Sequence, residues 1–167
     1  DDQNTVNRRE PVRLERHQPV ERREGDGESV GEQAAAADHL HAAGELLYET
    51  LSKFGLAAGS YGASRDDGLR LKSAIILNTV KCLPPQNRIL PSEEANCRPY
   101  LKAAIDGLTG LTTFIALGKV AHDGICRCFG WSPVRLKFGH GAIHELPGGR
   151  TLFDSYHCSR YNQNTGR

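Results

Sequence analysis

Apolar residues keep two different periods along this chain. Leu46, Leu47, Leu51 and Phe54 recur at helical spacing and Gly55 follows them as a C-terminal stop, which predicts a short amphipathic helix beginning at Gly44. Beyond the turn-rich connector GSYGASRDDG (59–68), the run SAIILNTV (73–80) reads as a buried strand. Ser92 is placed to cap a helix whose first turn holds Glu93 and Glu94, complementing the dipole, and which runs to about Asp106. LTTFIALG (111–118) is a second buried strand, and Ala121, Ile125, Cys128 and Phe129 mark one face of a helix that Gly130 ends. Residues 136–146 and RTLFDSYH (150–157) supply two further extended runs around Pro147-Gly148-Gly149. Strands alternating with helices imply parallel pairing, with helices on the sheet's faces. The predicted architecture is an α/β fold, a three-layer α/β/α sandwich around a mostly parallel four-stranded sheet, with functional loops at the carboxyl ends of the strands.

The first part of the chain does not join this pattern. Residues 1–30 hold six Arg, eight acidic and only five aliphatic residues, and no Phe, Trp or Tyr precedes Tyr48. Such a segment buries too little apolar surface to offset its ordering entropy, so residues 1–43 are expected to be disordered or unrelated to the domain at 44–167. Lys plus Arg number 21 and Asp plus Glu 20, a balance that points to no nucleic-acid or membrane partner by itself. No apolar run approaches the ~18 residues that span a bilayer and no signal-peptide core is present, so a protein of the cytoplasm with no membrane partner is expected. The 167 residues include no Met at all, and the chain starts at Asp1, so it reads as part of a longer gene product, truncated at both ends. Five cysteines (Cys82, Cys97, Cys126, Cys128 and Cys158) without a secretory signal favour thiols or metal ligands over disulfides.

Three polar groups sit at predicted strand ends. Asn78 closes the first strand, His140 lies between glycines in FGHG, and His157 ends the last run in SYHCSRYNQNTGR. Each also has an ordinary structural reading: an Asn at a strand end caps backbone groups, and a His between glycines serves a turn. Cys82 and Cys97 bracket the Pro-rich stretch VKCLPPQNRILPSEEANC (80–97), yet two thiols at that spacing are equally compatible with buried free cysteines. Cys126 and Cys128 are two apart on a predicted helix and so face about 200° apart, a poor arrangement for chelation.

Taken together, NTVKCLPPQNRILPSEEANCRPYL, FIALGKVAHDG, KFGHGA, LPGGRTL and SYHCSRYNQNTGR resemble the uracil-DNA glycosylase superfamily, most closely its type 5 (type B) branch, which is similar to type 4. The resemblance covers 44–167. It implies hydrolysis of the N-glycosidic bond of uracil, and of some other deaminated bases, in DNA, leaving an abasic site for base-excision repair. It implies that Asn78 reads the base, because a side-chain amide complements the N3–H donor and O4 acceptor of uracil. His157 matches the motif histidine that stabilises charge on the departing base, and His140 falls with the base-binding residues. Ser159, Arg160, Tyr161 and Asn162 match the loop that approaches DNA, with Arg167 just beyond. Cys82 and Cys97 match two of four ligands of a 4Fe-4S cluster that would pin the Pro-rich loop. The implied partner is DNA containing uracil or other deaminated bases, met at the nucleoid by a monomer.

Two departures from the family pattern stand out. No cysteine precedes Cys82, so half the cluster ligands are missing, and Cys158 stands where the family usually has proline. The family's first motif, a Gly-Leu-Ala-Pro strand end with a Gly/Asn-rich loop, is also absent. Three functions therefore compete: an active glycosylase, an inactive DNA-binding remnant of one, and a zinc-stabilised structural module built on Cys82 and Cys97.

Overall fold

The computed structural model describes residues 43–64, 66–82 and 88–165, with the side chains of Arg160 and Tyr161 also outside the description. The expectations for residues 1–42 and for Arg167 fall outside the described residues. The first helix, α1, runs through 43–53 and turns at Gly55, whose φ of +73° is the left-handed conformation that suits glycine at a helix end. Tyr61 stacks on Tyr48 with ring centroids 4.8 Å apart, docking the following loop on α1. That loop joins two short antiparallel strands, β1 (Ala57–Ala58) and β2 (Arg70–Leu71). Asp67 fastens it by accepting from the Gly62 and Leu69 amides at 3.1 and 3.0 Å.

The second helix, α2, spans Pro91–Gly107. Its cap is Leu90 rather than Ser92, because Pro91 occupies the first helical position, where its missing N–H costs nothing. Glu93 completes the start by accepting the Leu90 amide at 2.8 Å. Then come β3 (Thr113–Leu117), α3 (Lys119–Cys128), β4 (Ile143–Leu146), β5 (Arg150–Ser155) and a five-residue helix, α4 (Arg160–Asn164). Gly130, at φ +72°, follows α3 as the sequence predicts.

The main sheet has three strands in the order β3-β5-β4, parallel between β3 and β5 and antiparallel between β4 and β5. The antiparallel pair departs from the expected parallel arrangement. Its cause is the three-residue connection Pro147-Gly148-Gly149, with both glycines at positive φ, since a parallel return needs a dozen or more residues. The fourth expected strand, 73–80, carries no ladder hydrogen bonds among the described residues. Ile75, Leu77 and Thr79 line a cavity of about 130 Å3 with Leu101, Phe114 and Ile125, although Ile76, Leu77 and Asn78 are all exposed. The segment lies along the core without pairing to β3. Thr79 packs so tightly on α3 that a Cβ added at Gly124 would sit 2.5 Å from its Cγ2.

The core is the face where Phe114 and Ala116 of β3, Leu152 of β5 and Leu146 of β4 meet Leu101 and Ile105 of α2 and Ile125 and Cys128 of α3. Burial of this apolar surface is the principal stabilising term. Glu94 adds a polar tie between the helices: its buried carboxylate takes a bidentate pair from Arg98 at 2.7 and 3.0 Å and approaches Arg127 of α3 at 3.3 Å. Hydrogen bonding from Arg98 holds that carboxyl below the usual carboxylate range. On the opposite face Ile115, Phe153 and Ile143 stand in register across all three strands and are 57, 38 and 64% exposed.

The contact between Thr79 and Gly124 gives a test of the packing of 73–80. Gly124→Ala should destabilise the chain by about 1–2 kcal/mol, because overpacking outweighs the ~1 kcal/mol that Ala ordinarily adds inside a helix. In a Thr79→Ser background, which lacks the clashing methyl, the same substitution should become neutral or stabilising. Additive effects in denaturant unfolding of the four proteins would show that the two positions do not touch.

Candidate functional site

The parallel strands β3 and β5 end side by side, tied by the Gly118 amide donating to the Ser155 carbonyl at 2.8 Å. Gly118 has φ +99°, which turns the chain from β3 directly into α3, and a Cβ there would lie 3.6 Å from the Cβ of His157. Close approach at Gly118 therefore leaves His157 beside the end of β3. Between these strand ends and α1 lies a cleft of about 280 Å3, near the lower limit of the roughly 300–1,000 Å3 usual for small-molecule sites. Leu46, Leu47 and Leu117 form its apolar side, and Thr50, His140, Ser155, His157 and Gln163 contribute polar groups.

Two histidines thus share one cleft. His140 accepts the Tyr156 amide at its Nδ1, 3.1 Å away, so the ring proton belongs on Nε2. Its imidazole also stacks on Tyr156, with centroids 4.9 Å apart and planes 7° from parallel. His157 is exposed, and among the described residues no hydrogen bond reaches its ring. The backbone around it is held instead, by the Asn162 amide donating to the His157 carbonyl and the Gln163 amide donating to the Cys158 carbonyl, each at 2.8 Å. A fixed main chain presenting a ring without partners suits a group that meets a ligand.

The other expected site residues are distributed differently. Asn78 is exposed on the outward side of 73–80 and is not among the described residues that line the cleft. Ser159 precedes α4, and Arg160, Tyr161 and Asn162 lie on it, so that run is helical rather than a loop. Cys82 and Cys97 are neighbours: the Lys81 amide donates to the Cys97 sulfur at 3.4 Å, and the Cys97 side chain lies close enough to raise the Cys82 thiol. Desolvation, reinforced by the nearby Glu93 carboxylate and Cys97, pushes the Cys82 thiol up. The remaining thiols lie elsewhere, Cys126 and Cys128 inside the core and Cys158 in the cleft, and burial pushes all three up. Cys82 and Cys97 fit as two ligands of a metal group. A complete four-thiolate cluster does not fit the thiols that the described residues bring together.

Sequence reasoning missed what lies beneath His140. Asp154 of β5 is buried at a position that strand alternation assigns to the core. Its Oδ1 meets His122 Nδ1 at 2.8 Å, and its Oδ2 meets His144 Nε2 at 3.0 Å and accepts the Gly139 amide at 3.3 Å. The far nitrogen of His122 faces the Leu136 carbonyl at 2.9 Å. The only signal in the sequence is the parity of Leu152 and Asp154, which sets a carboxylate among apolar neighbours.

The Uracil DNA glycosylase superfamily matches residues 27–167. The chain is 36% identical over 126 residues to a type-5 uracil-DNA glycosylase of Thermus thermophilus, covering 75% of this chain and 57% of that protein. It is 33% identical over 126 residues to a type-5 uracil-DNA glycosylase of Pyrobaculum aerophilum, covering 75 and 54%, and 33% identical over 122 residues to a type-4 uracil-DNA glycosylase of the same organism, covering 72 and 55%. The chain thus spans about half the length of the curated relatives it matches. No helix among the described residues is long and apolar enough to cross a membrane. An α/β sheet with a histidine-bearing cleft at its strand ends, matched over most of its length, places the chain in the uracil-DNA glycosylase superfamily.

Proposed function

We propose that the chain cleaves the N-glycosidic bond of uracil in DNA, releasing the free base and leaving an abasic site. The observation that supports this most is the cleft shared by His140 and His157 at the ends of β3 and β5, in a chain of this superfamily. The cleft suits one flat heterocycle, with leucines for its faces and imidazoles for its edges. A base reaches such a site only after leaving the duplex, at a cost of a few kcal/mol in lost stacking. Ser159, Arg160, Tyr161 and Asn162 contact the DNA backbone beside the cleft and offset part of that cost. His140, its ring already fixed against Tyr156, offers its Nε2–H to the bound base. As the bond breaks, negative charge gathers on the base oxygen and positive charge on the sugar, and an N–H of His157 stabilises the former. Asn78 reads the N3–H and O4 edge of uracil. The partner is DNA carrying uracil or other deaminated bases, and the chain acts on it as a monomer inside the cell.

His157 carries the largest single effect in this reading. Loss of one pre-organised donor to a developing oxyanion costs about 100- to 1,000-fold in rate, so His157→Ala should release uracil that much more slowly than the parent chain. Chromatographic detection of free uracil from single-stranded DNA with one uracil gives the measurement. Equal rates for the two proteins would remove His157 from the reaction. Binding of the DNA without any release by the parent chain would favour the inactive remnant.

We further propose that Cys82 and Cys97 act as metal ligands that fasten the loop between them, two thiolates of the 4Fe-4S set that the family resemblance implies. Since the described residues bring only these two thiols together, the chain by itself should not retain four irons and four sulfides. In the metal-free protein iodoacetamide should modify Cys82 and Cys97 while Cys126 and Cys128 react only after unfolding, because burial both shields those thiols and raises them. Mass spectrometry of the alkylated peptides, with iron, zinc and sulfide analysis, checks both statements. Four irons and four sulfides per chain would contradict the half-set, and one zinc lost on Cys82→Ser would favour the structural module.

A further inference from the structure

Asp154 is bonded on both sides of His140. Its side chain accepts the Gly139 amide at 3.3 Å, its carbonyl accepts the Gly141 amide at 2.9 Å, and its own amide donates to the Ala142 carbonyl at 2.9 Å. The turn closes on itself through the Ala142 amide, which donates to the Gly139 carbonyl at 2.9 Å, with Gly141 at φ +78°. His122 of α3 reaches the start of the same loop, since its Nε2 faces the Leu136 carbonyl at 2.9 Å while its Nδ1 faces Asp154. Each ring nitrogen of His122 therefore faces an oxygen, so the ring is held at both ends. The backbone at 136, 139, 141 and 142 is thus fixed to one buried pair, and the residue left projecting into the cleft is His140. The same Asp154 lies two residues before Tyr156, which stacks on His140, and three before His157.

We propose that Asp154 and His122 are positioning residues for the reaction in the cleft, setting the place and the tautomer of His140 from beneath it. The inference rests on the cleft being the base-binding site. Hydrogen bonding accounts for the whole cluster: His122 and Asp154 are 0 and 3% exposed, and no buried side-chain nitrogen or oxygen among the described residues lacks a partner. His122, His144 and Asp154 also hold their ligand atoms within 4.8 Å of one another, a spacing that a metal ion would share. The 2.8 and 3.0 Å contacts between nitrogen and oxygen have the length of direct hydrogen bonds. The neighbouring Cys126 sulfur, 3.6 Å from His122 Nε2, fills the remaining side of the ring.

The test is Asp154→Asn, which keeps the size of the side chain but replaces one acceptor oxygen with an NH2 group. Turned toward the loop, the NH2 group cannot accept the Gly139 amide; turned the other way, it stands where a carboxyl oxygen met His122 Nδ1, so the hold on the loop changes in either case. Nitrogen-15 spectra of the imidazoles in the full chain at fixed pH should show His140 as a single Nε2–H tautomer in the parent and as a tautomer mixture in the variant. Uracil release should fall about 100-fold in kcat with KM little changed, the size of effect that a misplacement of about 1 Å produces. His122→Gln, which breaks the pair from the other partner, should give the same two changes. A folded Asp154→Asn protein with the parent's His140 tautomer and kcat would overturn the proposal, and so would failure of both variants to fold, which would make the pair structural only. One zinc per parent chain, absent from Asp154→Asn, would replace positioning with metal binding. Should the parent release no uracil, the base-cleavage reading fails while the His140 tautomer still decides this one.

Discussion

A carboxyl group shut away from water must have its oxygens answered by hydrogen-bond partners, and the arrangement of this domain's site follows from how Asp154 is answered. Three elements converge on it: α3 brings His122, β4 brings His144, and the loop before β4 brings the Gly139 amide. Removing any one leaves a buried polar group short of a partner, a penalty of about 1–3 kcal/mol and more for a charge. The hairpin β4-β5 and the parallel pair β3-β5 are therefore joined by polar bonds as well as by the leucines beside them. Specific geometry at the strand ends is a consequence, because a polar network fixes orientation where apolar packing alone fixes only proximity.

The cleft above this network combines a rigid side and a side that ligand can change. Tyr156, His140 and the carbonyls of 157 and 158 are tied by hydrogen bonds, whereas the His157 ring meets no described partner and 73–80 follows the core without ladder bonds. The exposed row of Ile115, Phe153 and Ile143 on the far face shows that only one face of the sheet is covered among the described residues.

How much of this is legible in the sequence depends on whether the signal is local. The periods of 111–118 and 119–130 give β3 and α3 within a residue or two, because a buried run and an apolar helical face need no knowledge of partners. The start of α2 is displaced by one local competitor, Pro91, which claims the first helical position ahead of Ser92. Pairing is less legible. The apolar content of 73–80 reads as a buried strand, but a ladder needs a neighbouring backbone at hydrogen-bond distance, which no single segment encodes. The last two extended runs are read without a pairing direction, and the short Pro147-Gly148-Gly149 connection makes them antiparallel within a sheet expected to be mostly parallel. Of the candidate site residues, His140 and His157 both line the strand-end cleft, while Asn78 lies outside its lining. The Asp154 network stayed hidden because its partners come from 10 to 32 residues away and each looks ordinary alone.

The central claim is that the strand-end cleft beside His140 and His157 receives the base. Titration of free uracil into the nitrogen-15-labelled chain tests it most directly, by mapping which backbone amides shift. The account predicts shifts centred on Leu117, His140, Tyr156 and His157. Shifts centred instead on Ile75 to Thr79 and the cavity beside Phe114, with the cleft residues unmoved, would contradict it.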